Sequence, residues 1–341
     1  MRVLHVRLDE PGGGVVYVRA ALELDDPTWE MEEIALDPRR LKSSLVGWWR
    51  SVVGVRKAVR RRGIDIVHAH GVRAGLVALL GSFRLRRRRV LLIHGLHSMR
   101  RASARSLVLV RFVNRRILRS FDRVMVLSNS DRDAIVGSRL APAGRVRLVR
   151  TTIRPPKPAP RDEARDVFGL AIERPVLLWL GRFSAEKDPL TFVRAVNDLS
   201  GDVAGLMIGD GELLEEARSI AGPSVIIAGW LDDPSAGFAA ADIFVNSSEW
   251  EGLPIAVLEA ASGGVRLVLS DRPGNRDVVA MGVPARSFVF GDSDALSIAI
   301  KEELAHPVAE KADVRKMVLA TFNPEALRED LLAVYTELAR T

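Results

Sequence analysis

The sequence predicts an α/β protein made of two doubly wound domains. Short apolar runs alternate with amphipathic helical stretches, which is the pattern of parallel sheets covered by helices. The alternation runs to about residue 150, stops at a segment with four prolines between 155 and 160, and then restarts. Such a segment is stiff and extended. Because ligands bind at the carboxyl ends of parallel strands, we expect the two sheets to face each other across a ligand-binding cleft.

The first half of the chain, residues 1–153, is interpreted as one Rossmann-like domain. Its predicted strands are rich in Val, Leu and Ile, and helical periodicity follows most of them. The strands cover residues 2–6, 32–36, 64–69, 89–94 and 122–128, and the helices cover about 41–62, 71–83, 103–119 and 130–140.

The second half, residues 154–323, repeats this pattern as a second Rossmann-like domain. Its strands are predicted at 175–181, 204–209, 224–229, 242–247 and 265–270, and its helices at about 189–200, 212–221, 254–264 and 292–306. A last helix, about 324–341, has Asn323 as a suitable N-cap and Pro324 in its first position. This helix could pack back on the first domain.

The composition is that of a globular protein, with 48% apolar and 27% charged residues. The chain has no cysteine, which excludes a disulfide framework and a thiolate metal site. The first apolar run is too short for a signal peptide, and no apolar stretch reaches the roughly 20 residues of a membrane span. We therefore expect a cytoplasmic protein that is soluble or lies on the inner face of the cytoplasmic membrane.

Positive charge is concentrated in the first half. Residues 1–150 contain 31 Lys and Arg against 13 Asp and Glu, whereas the remaining residues contain 19 against 30. Between Arg39 and Arg119, 22 basic residues accompany a single acid, Asp65. A division this sharp indicates that the first half faces an anionic partner.

Two predicted helices carry much of this charge. The helix over about 41–62 combines an apolar stripe, Trp48 and Trp49 with clustered Arg and Lys, and the helix over 103–119 interleaves apolar residues with five arginines. Basic amphipathic helices lie on anionic lipid, although they also pack on sheets with a solvated basic face. The pair predicts a membrane-facing surface. A nucleic-acid partner is less favoured, because only 6% of the residues are aromatic.

The segment WLGRFSAEKDPLTF, residues 179–192, indicates a phosphate site. A strand ends at Gly181, Arg182 and Lys187 lie in the following loop, and a helix begins near Asp188. Free N–H groups at a helix start bind phosphate together with cations of this kind. The pattern is equally compatible with surface charges in an ordinary loop.

Two further segments follow predicted strands. Gly209 and Gly211 lie in a glycine-rich turn, where glycine either lets the backbone approach a ligand or only shapes the turn. Glu251 lies in a later loop, and Glu259 lies in an apolar helix that is predicted to start at Pro254. Glutamate is rarely buried without a partner, so we expect Glu259 to meet ribose hydroxyls or an arginine from elsewhere.

Four of the six histidines fall at the ends of two neighbouring predicted strands, His68 and His70 at one and His94 and His97 at the other. Clustered histidines can bind metal. No cysteine or acidic ligand lies near them in the sequence, so we expect no metal here. The histidines are instead candidates for an active site.

The order of these motifs resembles the retaining glycosyltransferases of family 4, which have the GT-B fold. The resemblance is carried by GRFSAEKDP, GDGELLEEA, AGW at 228–230 and SSEWEGLPIAVLEAASGG with its E-x7-E pair, and it is supported by DIVHAHG, SNSDRDAI and a glycine-rich loop after the first strand. It covers nearly the whole chain. An NAD-dependent enzyme is less favoured, since PGGGVVY does not match G-x-G-x-x-G.

The resemblance implies a role for each motif. In that family the Arg and Lys of the GR…EK loop bind the donor diphosphate, the first Glu of the pair holds the donor sugar, and the second binds the ribose. A histidine after a strand of the first domain faces the reacting sugar, and His97 fits best, with His94 second. The implied catalytic residues are His97, Arg182, Lys187 and Glu251. The implied donor-binding residues are Gly13, Gly14, Gly181, Gly209, Gly211, Gly252, Leu253 and Glu259, and His70 and His94 are candidate contacts for the sugar or the acceptor.

The implied activity is hexosyl transfer with retention from a nucleoside-diphosphate sugar, with UDP the commonest carrier and GDP next. The acceptor is a hydroxyl group, in a setting such as cell-envelope polysaccharide or glycolipid synthesis at the membrane surface. Enzymes of this family need no metal or other cofactor for catalysis. The alternative is a basic protein that binds membranes or nucleic acid on a non-catalytic GT-B scaffold. The chain departs from many relatives in three ways: LVRTTIRPP follows the last strand of the first domain in place of Asn-Gly, Asn246-Ser247 replaces Pro-Ser, and the first domain is short. These departures bear more on the acceptor pocket and hinge than on the donor site.

Overall fold

The computed structural model describes residues 1–10, 13–95, 104–199 and 201–340. The chain divides into two compact units. The first combines Met1–Thr152 with Phe322–Thr341, and the second is Ile153–Thr321. The division lies within one residue of the position expected from the proline-rich segment, and residues 151–160 have no regular secondary structure.

The first unit contains a six-stranded parallel sheet. The strands are β1 Arg2–Leu8, β2 Glu30–Leu36, β3 Ile66–His70, β4 Arg88–Ile93, β5 Arg123–Val126 and β6 Val146–Leu148. The helices are α1 Gly13–Leu22, α2 Pro38–Ser43, α3 Leu45–Arg61, α4 Gly71–Gly81, α5 Ala104–Arg119 and α6 Asn129–Gly137. The strand order is β2-β1-β3-β4-β5-β6, with every pair parallel.

The core of this unit lies between the sheet and three adjacent helices, α3, α4 and α5. In α3 the buried residues Val52, Val55 and Val59 follow helical spacing. The connection from β1 to β2 leads towards one edge of the sheet, whereas the connections from β2 onwards lead towards the other edge. Because parallel crossovers are right-handed, helix α1 lies on the opposite face of the sheet from α3, α4 and α5.

The second unit contains another six-stranded parallel sheet. Its strands are β7 Val176–Leu180, β8 Ala204–Ile208, β9 Val225–Gly229, β10 Ile243–Asn246, β11 Arg266–Ser270 and β12 Arg286–Phe288. Its helices are α7 Arg161–Asp166, α8 Pro189–Asp198, α9 Leu214–Ile220, α10 Ser235–Ala240, α11 Ile255–Ser262, α12 Asn275–Ala280, α13 Ser293–Ala305 and α14 Lys311–Thr321. The strand order is β12-β11-β10-β7-β8-β9. The final helix, α15 Pro324–Ala339, belongs to the first unit.

Each sheet has one point where the direction of strand addition reverses. In the first sheet this point lies between β1 and β3, and in the second it lies between β7 and β10. Loops that follow such strands diverge and leave a crevice at the carboxyl edge, which is where ligands bind in open α/β sheets. The two reversal points therefore define where functional side chains are expected.

The ten predicted strands are all confirmed, and β6 and β12 are additional. The predicted helix over 41–62 is two helices, because Ser44 is extended and caps α3 through a hydrogen bond from Gly47 N–H. Helix α11 begins at Ile255 with Pro254 as its N-cap, so the prediction that it starts at Pro254 was wrong by one residue. Helices α1, α7, α10, α12 and α14 were not predicted.

Candidate functional site

The loops after β7 and β10 meet at the reversal point of the second sheet. The Glu249 N–H donates to the Glu186 carbonyl at 2.8 Å. Ser247 Oγ accepts from Trp179 Nε1 at 3.0 Å and donates to the Asp188 carbonyl at 2.7 Å. Since Ser247 is fully buried, these bonds hold the two loops in a fixed relation.

A salt bridge between these loops joins Lys187 and Glu251. Lys187 Nζ donates to Glu251 Oε1, which also accepts from Ser248 Oγ at 2.7 Å. The Glu251 residue is 7% exposed. Burial by itself raises the pKa of Glu251, but the charge of Lys187 and the hydrogen bonds from Lys187, Ser248 and Asn246 outweigh burial and hold it below its ordinary value. Glu251 is therefore a buried, ionised carboxylate.

Arg182 lies in the same loop and is exposed to solvent. Within the described parts of the chain its guanidinium has no hydrogen bond or ion pair, so it is available to an anionic ligand. Helix α8 begins nearby, with Asp188 as its N-cap in the left-handed region at φ 46°. An arginine, a lysine and a helix start in one loop form a suitable environment for phosphate.

The glycines of this edge bring two loops into close contact. Gly209 and Gly211 have φ values of +142° and +155°. A Cβ at Gly209 would lie 1.8 Å from the Gly181 carbonyl oxygen, and one at Gly211 would lie 2.4 Å from the Phe183 carbonyl oxygen. Both positions thus require glycine, because the loop after β8 packs against the loop after β7. The close backbone approach that the sequence suggested is made to this neighbouring loop.

A polar network supports Glu251 from the side of α12. Asn275 Nδ2 donates to Asn246 Oδ1 at 3.2 Å and to Ser270 Oγ at 2.9 Å, and Asn246 Oδ1 also accepts from Ser248 N–H at 3.0 Å. Gly274, at φ +86°, lies against Glu251, where a Cβ would be 2.5 Å from the Glu251 Cβ. Sequence reasoning did not identify this support. The polar residues at the end of β10 could have indicated such a network. Asn275 lies 29 positions beyond Asn246, and nothing in the sequence around it indicates that it joins the network.

Glu259 lies just over one turn into α11 and is partly buried. No donor to its carboxylate is found in the described residues, and burial raises its pKa to about 7. The arginine that was considered as its partner is thus not found among the described residues. Gly252 and Leu253, which lead into this helix, are both buried.

The reversal point of the first sheet carries histidines. His5 on β1 is the register partner of His68 on β3, and His70 ends β3 on the same face. His5 Nδ1 and His70 Nε2 are 2.9 Å apart, which is a hydrogen bond, and His68 Nδ1 is 2.7 Å from the Tyr335 hydroxyl of α15. His5 was not among the predicted cluster, because it lies mid-strand and far away in sequence.

These three histidines offer ring nitrogens that lie within 4.8 Å of one another. However, the ring planes of His5 and His68 lie only 23° and 24° from that of His70. Imidazole lone pairs lie in the ring plane, so nearly stacked rings must turn before all three can bind one ion. Burial lowers the pKa of His5 to about 3 and the pKa values of His68 and His70 well below 6.5. The arrangement is that of a neutral, packed cluster.

His94 extends this cluster towards the carboxyl edge. It follows β4, stacks on His70 with 5.8 Å between ring centroids, and lies partly exposed. A Cβ on Gly14 would contact the His94 ring at 3.6 Å, so the start of α1, where Gly13 and Gly14 lie, is adjacent to this histidine. His97 lies outside the described residues.

The predicted site residues therefore form two sets, one at each reversal point. The set in the second unit contains Gly181, Arg182, Lys187, Gly209, Gly211, Glu251, Gly252, Leu253 and Glu259. The set in the first unit contains Gly13, Gly14, His70 and His94. In both sets the residues follow the carboxyl ends of strands, as expected for ligand-binding groups.

Comparison with known proteins assigns both halves to one class. Residues 174–306 match the family described as glycosyl transferases group 1, and residues 5–152 match the glycosyl transferase 4-like domain. A UDP-Gal:alpha-D-GlcNAc-diphosphoundecaprenol alpha-1,3-galactosyltransferase of Escherichia coli is 27% identical over 257 residues, which are 69% of this chain and 65% of that protein. The chain spans 65% or less of the length of the first curated relatives that it matches.

Solved structures show the same fold. A sucrose-phosphate synthase from Thermosynechococcus elongatus has a TM-score of 0.81 at 21% identity, and the alignment covers 99% of both chains. Anabaena Alr3699/HepE in complex with UDP-glucose has a TM-score of 0.79 at 19% identity, over 98% of this chain and 100% of that one. Together with the two family matches, these likenesses show that the chain belongs to the group 1 glycosyltransferases and has the GT-B fold.

Proposed function

We propose that this protein is a retaining glycosyltransferase that moves a hexose from a nucleoside-diphosphate sugar to a hydroxyl acceptor. The observation that carries the proposal is the Lys187–Glu251 ion pair beside the exposed Arg182 at the reversal point of the second sheet. This arrangement holds cations where a diphosphate can bind and a carboxylate where sugar hydroxyls can bind. The two doubly wound sheets and both family matches support the proposed glycosyl transfer.

In the proposed reaction the leaving group is the nucleoside diphosphate. Arg182 and Lys187 stabilise the charge that develops on its phosphates, in positions fixed before the reaction begins. Lysine has three N–H donors, so Lys187 can bond to phosphate while it remains paired with Glu251. Glu259, which the described protein leaves without a donor, accepts hydrogen bonds from the ribose hydroxyls.

Retention of configuration is proposed from the family resemblance. The acceptor hydroxyl attacks on the face from which the diphosphate departs, and a leaving phosphate oxygen takes its proton. This route needs no dedicated base and no metal. UDP is the proposed carrier, because the Escherichia coli relative is named for UDP-Gal and HepE was crystallised with UDP-glucose. GDP is the second candidate, since another relative is named a GDP-mannose-dependent mannosyltransferase.

The acceptor is proposed to be presented at an anionic membrane surface. Leu45, Val46 and Trp49 are exposed in the first turns of α3, and Val108, Leu109, Phe112 and Val113 are exposed on α5. Helices α3, α4 and α5 contain no acidic residue. In crossovers of this type helices run antiparallel to the strands, so these apolar side chains lie towards the carboxyl edge of the first sheet, where His94 lies. Among the described helices, none is long and apolar enough to cross a bilayer.

The proposal is tested by a donor screen. The full chain is incubated with UDP-glucose, UDP-galactose, UDP-N-acetylglucosamine or GDP-mannose and bacterial lipid extract, and release of nucleoside diphosphate and labelled lipid product are measured. We expect turnover with one donor, an α-linked product by NMR, and at least 100-fold loss in Lys187→Met. Lys157→Met is the matched control, because Lys157 is an exposed lysine paired with Asp233. Absence of both binding and turnover with every donor would favour a non-catalytic scaffold.

A further inference from the structure

The first unit has a pocket of about 250 Å³ at the amino-terminal edge of its sheet. Strands β3 and β4 begin here, so the pocket lies at the opposite edge from the histidines at the reversal point. Its lining consists of Met1, Asp65, Ile66, Arg86, Arg87, Arg88, Leu338 and Ala339. Ile66, Leu338 and Ala339 give it an apolar part beside a cationic one.

The charge of this pocket is strongly positive. Three arginines, Arg86, Arg87 and Arg88, line it together with one acidic residue, Asp65. Asp65 Oδ2 already accepts a hydrogen bond from the backbone N–H of Arg2 at 2.9 Å. Across the described ranges of the chain, no carboxylate forms an ion pair with any of the three arginine side chains. The side chains of the lining residues thus carry a formal excess of two positive charges.

One of these donors is both buried and unsatisfied. Arg87 Nε is inaccessible to solvent and has no hydrogen-bond partner among the residues that the structure describes. A buried donor without a partner is unfavourable, and one on a charged group is more so. An acceptor oxygen in the pocket satisfies this donor only after the Arg87 side chain turns to expose its Nε.

The backbone that brings the arginines together is also unusual. Arg84 and Arg86, in the connection from α4 to β4, have φ values of 60° and 48°. Non-glycine residues seldom adopt this left-handed region, and such strain persists where the surrounding structure determines it. Here it occurs in the segment that contributes Arg86, Arg87 and Arg88 to the lining of the pocket.

We propose that this pocket binds a phosphate monoester. Such a group carries close to two negative charges at neutral pH and has three acceptor oxygens, which match the charge excess and the arginine donors. The volume is below the 300–1,000 Å³ or so of pockets for drug-sized ligands, so the ligand is compact. Its carbon part contacts Ile66, Leu338 and Ala339. The phosphate comes from a soluble ester or from a lipid headgroup, and this site is separate from the donor site proposed above.

The test is a titration of the full chain with glycerol 3-phosphate by calorimetry. Because Arg182 and Lys187 could also take phosphate, all measurements use the Arg182→Gln/Lys187→Gln chain, so that the result does not depend on the proposed donor site. Arg87→Gln and Arg88→Gln are added to this background. Arg84→Gln is the matched control, because Arg84 is exposed, lies over the Phe83 ring and does not line the pocket.

We expect binding in the background chain, a loss of affinity of about 10- to 100-fold in Arg87→Gln and Arg88→Gln, and no change in Arg84→Gln. Parallel arms use vesicles of phosphatidic acid and of phosphatidylcholine. Binding of phosphatidic acid vesicles that Arg87→Gln removes identifies a lipid source, and binding of glycerol 3-phosphate alone identifies a soluble one. Absence of binding in both arms, or equal loss in all three variants, would overturn the proposal.

Discussion

Lys187 Nζ and Glu251 Oε1 form an ion pair between the loop after β7 and the loop after β10. The pair lies at the reversal point of the second sheet, where two neighbouring loops diverge. It explains how a carboxylate that is almost fully buried remains ionised, since the cation lowers its pKa against the effect of burial. The ion pair also fixes the position of the Lys187 ammonium group.

Loss of this cation is expected to destabilise the second unit. In Lys187→Met the Glu251 carboxylate stays buried with only its neutral donors, Ser248 and Asn246. We expect the free energy of unfolding in urea to fall by roughly 1–3 kcal/mol, which is less than the roughly 3–5 kcal/mol for a fully buried pair because Lys187 is partly exposed. The double variant Lys187→Met/Glu251→Gln should recover part of this loss, because it removes the uncompensated charge. An unchanged free energy in the single variant would show that the pair contributes nothing to stability.

Gly209 is expected to tolerate no side chain. In Gly209→Ala the new Cβ would collide with the Gly181 carbonyl, and φ is unfavourable for alanine. We expect a loss of stability of about 2 kcal/mol or more, and weaker nucleotide binding, because the loop with Arg182 must move. Gly137→Ala is the control, since a Cβ there meets no described atom within 4 Å. It should be neutral or slightly stabilising, and equal melting temperatures for the two variants would contradict the explanation.

Much of this fold could be predicted from the sequence, because parallel strands buried on both faces produce clear apolar runs. The long loops of the second unit were also predictable as ligand loops, since Arg182, Lys187 and Glu251 directly follow strands. The ion pair of Lys187 with Glu251 could not be predicted, because the two residues are 64 positions apart and meet only since β10 lies next to β7 in the sheet. His5 was missed for the same reason, since only the register with β3 places it beside His68.

The histidine cluster predicts acid sensitivity. The pKa of His5 is lowered to about 3 in the folded state, and those of His68 and His70 are also lowered, against about 6.5 when unfolded. The unfolded chain therefore binds more protons below pH 6.5, so stability is lost as pH falls from 6.5 towards 3. Each histidine contributes up to about 1.4 kcal/mol per pH unit.

This dependence is measured as the free energy of unfolding at pH 7 and pH 5. His5→Gln should reduce the difference between the two pH values by up to about 2 kcal/mol. His306→Gln, at an exposed position at the end of α13, should leave the difference unchanged. If the change in unfolding free energy between pH 7 and pH 5 is the same in the wild type, His5→Gln and His306→Gln, the histidine cluster does not stay neutral in the folded state.

The exposed apolar side chains of the first unit predict binding to anionic vesicles. Trp49 is 63% exposed and Phe112 is 59% exposed. We expect flotation with phosphatidylglycerol vesicles at low salt, and about 10-fold weaker binding in Trp49→Ser and in Phe112→Ser, since each removes apolar area that lipid would bury. Trp230→Ser is the control, because Trp230 is 60% exposed but lies in the second unit. No flotation of the wild type, or equal weakening in the control, would refute the membrane surface.

The central claim is that the second unit binds a nucleoside diphosphate, with Glu259 on the ribose. The most direct measurement is calorimetric titration of UDP into the wild type and Glu259→Ala, with Glu215→Ala as a control at an exposed glutamate of α9. The account predicts UDP binding that is at least about 10-fold weaker in Glu259→Ala and unchanged in Glu215→Ala, as expected when the hydrogen bonds to the ribose are removed. Equal affinity in all three proteins would contradict the ribose role, and an absence of binding by UDP, GDP and ADP alike would contradict the donor site itself.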